Sequence, residues 1–235
     1  MRLLILAGGF GTRLKTAVSD VPKALAPVLG KPFLQLQIEL WVSQGIQNFT
    51  FLLHHQADQV IDFLEMQKFK YRDHCTFYWV IEDSPLDTGG AVANAIKHFG
   101  YEGDFLLVNA DTWLGGGVND LSVAPSPALA VIELDNVDRY GRVVLDENSL
   151  ITAFEEKSKS SSGGWISAGL SKLSTDLFKD WDGCPFSIES ELYHPLAKRN
   201  VLTGVKLYCG FMDIGIPEDY KIFCGWVRDE KIEKI

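Results

Sequence analysis

Hydrophobic runs alternate with amphipathic stretches along the first half of the chain. Four short apolar runs have the length of buried strands, and they are residues 3–6, 49–53, 77–81 and 105–108. Between them, apolar residues recur at helical spacing, in one stretch from Pro32 to Gly45 and in others over residues 57–64 and 91–99. Strands separated by helices indicate right-handed crossovers, so we expect an α/β fold with a mostly parallel sheet flanked by helices.

The second half of the chain has a different rhythm, with apolar runs joined by short connections. The strands predicted there are residues 128–134, 142–145, 151–155 and 165–173. Helices are expected after Ser187 and after Pro217, and stretches rich in Gly and Ser at 115–117 and 158–164 predict loops. This pattern favours a mixed or partly antiparallel extension of the sheet.

Length, composition and charge narrow the function classes. With 235 residues, 46% of them hydrophobic, the chain can bury a full core, and we expect one compact domain. Its net charge of −9 disfavours nucleic acid and anionic membranes as partners, so a phosphorylated ligand should be small and met by local cations. The sequence has no apolar run of membrane-spanning length and no signal-peptide pattern, which favours the cytoplasm. The four cysteines form no Cys-x-x-Cys pair and are expected to be free thiols.

A glycine-rich turn follows the first apolar run. Gly8, Gly9 and Gly11 allow backbone amides to approach a ligand closely, and Thr12 and Arg13 come directly after them. Such a loop suits phosphate groups. The turn lacks the Gly-Lys-Ser/Thr ending of a P-loop and the third glycine of the dinucleotide-binding fingerprint. A plain structural turn is the alternative.

Polar residues stand at the carboxyl ends of three predicted strands. The glycine-rich turn follows the first strand, residues 82–84 follow the third, and Asp111 follows the fourth. Ligands of open parallel sheets bind beyond the carboxyl ends of the strands, so we expect these groups at one edge of the sheet. His54 and His55 also follow a strand, but they have no third ligand at metal spacing, which favours a turn or capping role.

The chain contains paired segments that resemble the opening signature of a known enzyme family. The run from Leu6 to Leu14, followed by the segment 22–28, is similar to that of the sugar-phosphate nucleotidyltransferases, the nucleoside-diphosphate-sugar pyrophosphorylases. The other matching segments are Leu86-Asp87-Thr88-Gly89-Gly90-Ala91, Asn109-Ala110-Asp111, Arg139-Tyr140-Gly141, Phe154-Glu155-Glu156-Lys157, Ala168-Gly169-Leu170 and Met212-Asp213-Ile214-Gly215. The resemblance therefore extends over nearly the whole chain.

Within this family, the chain most resembles the D-glycero-D-manno-heptose 1-phosphate guanylyltransferases, short members that lack the carboxy-terminal β-helix of longer relatives. The resemblance implies a Rossmann-like sheet of the nucleotide-diphospho-sugar transferase type. It also implies that a single domain, residues 1–235, has a nucleotide-binding half at 1–114 and a sugar-phosphate-binding half at 115–235.

The implied reaction is transfer of a nucleotidyl group from a nucleoside triphosphate to a sugar 1-phosphate, with release of pyrophosphate. A sugar phosphate is already anionic near neutral pH, so the reaction needs no Ser-His-Asp or Cys-His base, and we find none. It does need charge neutralisation around two polyanions. The resemblance implies Arg13, Lys23 and Asp111 as catalytic residues, and Mg²⁺ as a cofactor held by Asp111 and Asp213.

The nucleotide-binding residues implied by the resemblance are Leu6, Ala7, Gly8, Gly9, Gly11, Thr12, Arg13, Glu82, Gly89 and Asp111. The residue type at position 82 indicates the base, because a carboxylate only accepts hydrogen bonds and guanine presents two adjacent donors. Glu82 therefore favours GTP. Two alternatives stay open: Asp83 reads the base instead, or Glu82 is merely an exposed carboxylate at a strand end.

The sugar-phosphate-binding residues implied by the resemblance are Gly141, Glu156, Lys157 and Gly169. Lys157 would bind the phosphate and Glu156 a pair of sugar hydroxyls. The chain departs from the family pattern here, with Ser158 where relatives commonly have Pro and with a different run around Ser167. Trp113, which follows Asp111 closely, is expected either to form a wall for the sugar or to pack in the core.

The favoured function is therefore a guanylyltransferase that binds GTP and D-glycero-D-manno-heptose 1-phosphate, with a homodimer as a candidate assembly. The alternatives are a uridylyl-, cytidylyl- or thymidylyltransferase acting on a hexose or MurNAc 1-phosphate, and a non-catalytic regulatory module that binds nucleotide sugars. The presence of Arg13, Lys23, Asp111 and Asp213 together disfavours the regulatory module, because a protein that only binds would not need the arginine and both metal ligands. Glycoside hydrolysis by Glu155 and Glu156 is disfavoured, because neighbours in a strand point to opposite faces.

Overall fold

The computed structural model describes residues 1–156 and 163–229. Its strands are β1 (Arg2–Leu6), β2 (Pro27–Val28), β3 (Lys31–Pro32), β4 (Asn48–Leu53), β5 (Thr76–Ile81), β6 (Asp104–Asn109), β7 (Thr112–Leu114), β8 (Ala128–Leu134), β9 (Arg142–Leu145), β10 (Ile151–Glu155), β11 (Gly164–Ser174), β12 (Thr203–Leu207) and β13 (Phe211–Asp213). Its α-helices are α1 (Phe33–Ser43), α2 (Ala57–Lys70), α3 (Asp87–Phe99), α4 (Val118–Val123), α5 (His194–Lys198) and α6 (Pro217–Arg228). Lys23–Leu25 and Thr175–Phe178 form 3-10 turns, and Glu189–Tyr193 forms a π-helical turn.

The chain divides into two compact units. The first consists of Met1–Pro85, Val108–Gly116 and Gly210–Ile235, and the second consists of Leu86–Leu107 and Gly117–Cys209. Every strand and helix expected from the hydrophobic pattern is present, with small shifts at the ends. The assignment of nucleotide and sugar binding to the two halves of the sequence stays a prediction.

Several elements were not expected from the pattern. Strands β7 and β13 pair antiparallel but have three residues each, too few to show a period. Strand β12 contains Gly204, a residue that is rare in strands. A Cβ at Gly204 would lie 2.5 Å from Leu145 Cδ2, so glycine makes room for the neighbouring side chain. Tertiary packing therefore explains a strand that local propensity does not predict.

Strand β4 lies between β1 and β5 in a parallel sheet of the first unit. Five of its six residues are buried, which explains why its sequence is apolar except at Asn48 and Thr50. The rings of Phe49 and Phe77 stack across β4 and β5 with centroids 4.9 Å apart. Beyond the end of β1, Ala7 N donates to Leu52 O at 3.0 Å, which ties the start of the glycine-rich turn to β4.

A second apolar group in the first unit, here called the aromatic cluster, connects α1 and α6 with the segments after β1. Its buried members are Leu14, Ala26, Val28, Phe33, Trp113, Ile214 and Phe223. The ring of Phe223 lies 5.0 Å from that of Phe33 and 5.4 Å from that of Trp113. Trp113 is only 3% exposed, so it packs in the core and does not form a wall for a sugar.

The second unit contains the mixed extension that the sequence predicts. Strand β11 pairs antiparallel with β8 and with β9, β10 pairs antiparallel with β9, and β12 pairs parallel with β8. The register of β11 against β8 shifts between Ser167 and Ser171. Gly169 lies in this irregularity with a φ of +71°, a conformation that favours glycine.

The helices and the cysteines show two further features. Across residues 1–156 and 163–229, every helix is too short or too polar to cross a lipid bilayer. All four cysteines are free thiols, as expected, with Cys75 buried and Cys184 exposed.

Candidate active site

The glycine-rich turn packs closely on its neighbours at two of its three glycines. A Cβ at Gly8 would lie 3.0 Å from the backbone nitrogen of His54, and one at Gly11 would lie 3.1 Å from Lys23 Cβ. Gly11 also has a φ of +58°. Nothing lies within 4 Å of the corresponding position at Gly9. The turn therefore faces protein at Gly8 and Gly11 and open space at Gly9, where a ligand can approach the backbone.

Three of the predicted charged residues converge in a group that we call the Lys23 cluster. Lys23 Nζ lies 2.5 Å from Asp111 Oδ2 and 3.7 Å from Asp213 Oδ1. The Lys23 side chain is 12% exposed, whereas those of Asp111 and Asp213 are 38% and 26% exposed. Ile214 N donates to Asp111 O at 3.0 Å, which fixes the two aspartate segments side by side. The ammonium group is thus held between two carboxylates.

Within the Lys23 cluster, the protein environment disfavours the ionised form of Asp213. Burial and then the charge of Asp111 raise the pKa of Asp213, although Lys23, the Gly215 N–H and Arg13 oppose the increase. The charge of Arg13 opposes this rise in the pKa of Asp213, so Arg13, the fourth predicted charged residue, interacts electrostatically with the Lys23 cluster. Two neighbouring carboxylates repel each other, and an additional cation between them would reduce that repulsion.

The chemistry of these donors fits a hard divalent ion. Asp111 and Asp213 supply carboxylate oxygens, the ligands that such ions prefer. Among the residues that the structure describes, no group of three or more His, Cys, Asp or Glu side chains could enclose a metal. The pair therefore suits an ion that completes its shell with phosphate oxygens and water, and Asp111 and Asp213 would be its protein ligands.

Gly215 belongs to the Lys23 cluster but was not assigned a role from the sequence. Its N–H donates to Asp213 Oδ1 at 2.7 Å. A Cβ at this position would lie 2.7 Å from the same oxygen and 3.1 Å from Lys23 Nζ. The signal was available, because Gly215 ends one of the segments that carry the family resemblance.

Glu82 follows β5 at the same edge as the glycine-rich turn. Its N–H donates to Leu53 O at 2.9 Å, and its carbonyl oxygen lies 3.1 Å from His54 Nδ1. Glu82 is 8% exposed, so the alternative of an exposed carboxylate is wrong, whereas Asp83 is exposed. The glycine-rich turn and residues 82–84 lie at one edge of the parallel strands, as expected, and Ala110 N donates to Leu6 O at 3.1 Å, which places Asp111 next to the end of β1.

The two histidines after β4 contact this edge, which the sequence did not indicate. His54 bridges Gly8 and Glu82 through its backbone and its ring. The ring of Phe10 lies 5.7 Å from that of His54 and 5.1 Å from that of His55, and Phe10 is half exposed. The histidines therefore support the turn and act as more than a local cap.

Gly89 lies near the start of α3, in the second unit. Its N–H donates to Phe186 O at 2.9 Å, and a Cβ would lie 2.1 Å from Phe186 Cε2. The space that glycine leaves at this position is occupied by the Phe186 ring. The predicted contact of Gly89 with a nucleotide stays a prediction.

A cavity of about 170 Å³ lies within the second unit, and we call it the acidic cavity. Its lining residues are Gly141, Phe154, Glu155, Glu156, Ser167, Glu189, Tyr193 and His194. Two of the predicted sugar-phosphate residues, Gly141 and Glu156, are among them. Gly169 is not, and Lys157 lies outside the described residues, as do residues 158–162 of the predicted loop.

The acidic cavity has features that the sequence did not reveal. Glu155 and Glu156 both line it, so the expectation that they serve opposite faces is wrong; β10 ends at Glu155, and strand alternation stops there. The rings of Phe154 and His194 stack at 4.9 Å with 4° between their planes. The Tyr193 hydroxyl donates to Ser171 Oγ at 2.8 Å, and burial raises its pKa, so Tyr193 stays neutral.

Comparison with known protein sequences finds the same family that the signature segments resemble. The family model for nucleotidyl transferase matches residues 2–183. The chain is 34% identical over 232 residues to D-glycero-alpha-D-manno-heptose 1-phosphate guanylyltransferase from Campylobacter jejuni, an overlap of 95% of this chain and 98% of that protein. It is 32% identical over 228 residues to probable mannose-1-phosphate guanylyltransferase 1 from Oryza sativa, covering 94% of this chain but 63% of that longer protein.

Comparison with solved structures agrees with the sequence comparison. HddC from Yersinia pseudotuberculosis complexed with GMP-PN superimposes with a TM-score of 0.81 and 32% identity, over 96% of this chain and 99% of that one. A putative glucose-1-phosphate thymidylyltransferase from Bacillus anthracis, in complex with sucrose, has a TM-score of 0.80 at 20% identity, over 97% and 96% of the two chains, which shows the fold alone. The predicted fold, a mixed and mostly parallel sheet flanked by helices, is confirmed. Proteins of the matched family generally use a divalent metal ion.

Proposed function

Because the chain belongs to the nucleotidyl transferase family, as its signature segments predict, we propose that it transfers a guanylyl group from GTP to D-glycero-D-manno-heptose 1-phosphate. The similarity to the Campylobacter jejuni guanylyltransferase and to HddC in complex with GMP-PN supports both the base and the sugar. The products would be GDP-heptose and pyrophosphate. These substrates suit the cytoplasm, and that location, like the homodimer, stays a prediction.

The observation that carries the proposal is the position of Lys23 between Asp111 and Asp213. In nucleotidyl transfer, an oxygen of the sugar phosphate forms a bond to the α-phosphorus of GTP, and the bond to the pyrophosphate oxygen breaks. The nucleophile is an anion, so no side chain has to remove a proton. Lys23 neutralises charge on the phosphates that approach each other, and Arg13 stabilises the charge that develops on the leaving pyrophosphate.

The proposed cofactor is Mg²⁺, held by Asp111 and Asp213. When bound, Mg²⁺ supplies charge neutralisation and alignment of phosphate oxygens. The two aspartates provide few protein ligands, which suits an ion that binds mainly through substrate phosphates and water. The raised pKa of Asp213 is consistent with the assignment, because burial and then Asp111 disfavour its ionised form, which a bound cation would favour.

Glu82 is the proposed reader of guanine. Its carboxylate can accept hydrogen bonds from both N1–H and N2–H₂ of the base. The side chain is buried at the edge where the glycine-rich turn also ends, and a charge-assisted hydrogen bond is stronger where water is excluded. Uracil and thymine present one donor beside an acceptor, so Glu82 should discriminate against UTP and dTTP.

The acidic cavity is the proposed site for the hydroxyl groups of the sugar. Three glutamates, Glu155, Glu156 and Glu189, are among its lining residues, and the lining within the described part of the chain contains no lysine or arginine. Carboxylates accept hydrogen bonds from hydroxyls and repel phosphate, so this cavity suits the ring and the carbon side chain of a heptose. Binding of the sugar phosphate by Lys157 stays a prediction.

A substrate screen tests the proposal directly. Wild-type protein is incubated with Mg²⁺, each of GTP, UTP, CTP and dTTP, and a panel of heptose and hexose 1-phosphates, while pyrophosphate release is recorded. GTP with the heptose phosphate should give the highest kcat/KM, and Lys23→Ala and Asp111→Asn should lose at least about 10²-fold. Faster release from UTP would overturn the base assignment, and wild-type rates in both variants would overturn the mechanism.

A further inference from the structure

Helix α6 and the residues before it contact the segment that carries Lys23 at two places. Before the helix, Asp213 Oδ1 lies 3.7 Å from Lys23 Nζ. One turn into the helix, the Tyr220 hydroxyl donates a hydrogen bond to the Pro27 carbonyl oxygen. Lys23 and Pro27 are close in sequence, so both ends of one short segment are attached to the same helix and its leading residues.

Other contacts fix the far end of the segment, since Phe33 N at the start of α1 donates to Ala26 O at 2.9 Å and β2 pairs with β3. Pro22 and Pro27 flank it, and proline has no N–H to donate. Within it, Ala26 N donates to Lys23 O at 3.1 Å, which closes the 3-10 turn but does not attach the turn to another element. The side chain of Tyr220 adds an attachment to α6, at the Pro27 carbonyl oxygen.

Helix α6 is itself a firm support. Phe223 is fully buried in the aromatic cluster, together with Ala26 and Val28 of the segment and its continuation. Removing the Tyr220 hydroxyl alone would leave this packing unchanged. Burial and then Cys224 raise the pKa of Tyr220 to about 12, so its hydroxyl keeps its proton and stays a donor at neutral pH.

We propose that Tyr220 is a positioning residue that fixes the Lys23 segment through Pro27 and so holds the Lys23 ammonium between Asp111 and Asp213. The inference rests on the proposed nucleotidyl transfer, in which that ammonium neutralises phosphate charge. Tyr220 touches no substrate in this scheme. It acts by preventing a small displacement of Lys23, and displacements of about 1 Å are enough to slow an enzyme about 10²-fold.

The test is Tyr220→Phe, which removes the hydroxyl and keeps the ring. The matched control is Tyr208→Phe, because Tyr208 is 84% exposed in the second unit. We expect kcat for pyrophosphate release to fall about tenfold in Tyr220→Phe, with an unchanged KM for the sugar 1-phosphate and little change in Tm. The control should keep wild-type kcat. A purely structural Tyr220 would instead lower Tm and leave kcat of the folded protein intact.

A second readout does not depend on catalysis. The Lys23 side chain is 12% exposed and that of Lys68 is 50% exposed, so acetic anhydride should modify Lys68 much faster in the wild-type protein. Peptide mass spectrometry of Tyr220→Phe should show several-fold faster acetylation of Lys23 relative to Lys68. Unchanged acetylation, or faster acetylation with wild-type kcat, overturns the proposal. If the wild-type protein releases no pyrophosphate from any substrate pair, the proposed function fails, and acetylation alone decides whether Tyr220 fixes Lys23.

Discussion

The variant Gly215→Ala tests the geometry of the Lys23 cluster with the smallest change in chemistry. A Cβ at position 215 would lie 2.7 Å from Asp213 Oδ1 and 3.1 Å from Lys23 Nζ. Both atoms end flexible side chains, so they can move away from the added methyl group while the backbone stays in place. Gly215 is not among the glycines with positive φ, so alanine adds no backbone strain. The substitution should therefore displace the charged groups without unfolding the protein.

The expected loss of activity follows from the size of the displacement. Ordinary contact begins at about 3.4 Å, so the Asp213 carboxylate has to move by about 0.7 Å. A misplacement of about 1 Å costs about 10²-fold in rate, so we expect kcat to fall roughly 10- to 100-fold. This corresponds to about 1.4 to 2.7 kcal/mol in activation free energy. The KM for the sugar 1-phosphate should change little, because the acidic cavity is not altered.

The matched control is Gly225→Ala in α6, where nothing lies within 4 Å of the added Cβ. Alanine in a helix is favoured over glycine by roughly 0.5 to 1 kcal/mol, so this variant should raise Tm slightly and keep wild-type kcat. Pyrophosphate release at saturating GTP, sugar phosphate and Mg²⁺ gives kcat, and thermal unfolding gives Tm. Wild-type kcat in a folded Gly215→Ala protein, or equal losses in the two variants, would refute the role of the Lys23 cluster.

Three further predictions concern other residues of the site. Burial and Asp111 raise the pKa of Asp213, so at pH 7 the ionised Asp213 carboxylate destabilises the folded protein. In the presence of a chelator, Asp213→Asn should therefore raise Tm at pH 7, and this gain should vanish below pH 3.8, the pKa of this carboxyl in the unfolded chain, where it is protonated in both states. The activity of the variant with Mg²⁺ should fall. Equal Tm values at pH 7 would contradict the predicted gain in Tm. Glu82→Gln should lower kcat/KM for GTP at least about tenfold relative to UTP, whereas Asp83→Asn should keep the wild-type ratio; the opposite result makes Asp83 the reader of the base. Gly89→Ala should destabilise the fold by about 1 to 3 kcal/mol in denaturant unfolding, and Phe186→Leu in the same chain should recover part of the loss if the two positions clash.

Two residues of the Lys23 cluster lie in short segments whose local structure could be predicted from the sequence. Lys23 follows a proline that fixes an extended backbone, and Asp111 comes two residues after β6, whose apolar run is clear in the sequence. Parallel strands bring their carboxyl ends to one edge, so the fold rule alone places the glycine-rich turn beside the end of β4. Asp213 was identified only through the family resemblance, since a three-residue strand has no readable period.

The acidic cavity and the buried state of Glu82 were not predictable in the same way. The cavity combines Phe154 from β10 with Tyr193 and His194 from a π-helical turn and α5, and this long-range meeting has no local pattern. A glutamate after a strand is ordinarily exposed, and burial of Glu82 depends on the backbone of the neighbouring strand. The contact of Tyr220 could not be predicted from the sequence for the same reason, because its partner is the backbone carbonyl of Pro27, which is distant along the chain.

The aromatic cluster fixes the backbone beside both aspartates of the Lys23 cluster. Two residues after Asp111 comes Trp113, and directly after Asp213 comes Ile214; both side chains are buried, at 3% and 0% exposure. Deleting a buried side chain of this size costs about 2 to 5 kcal/mol, so these two backbone positions are firmly held. The carboxylates can therefore adjust to a bound divalent cation by rotating their side chains, while the backbone of the site stays in place.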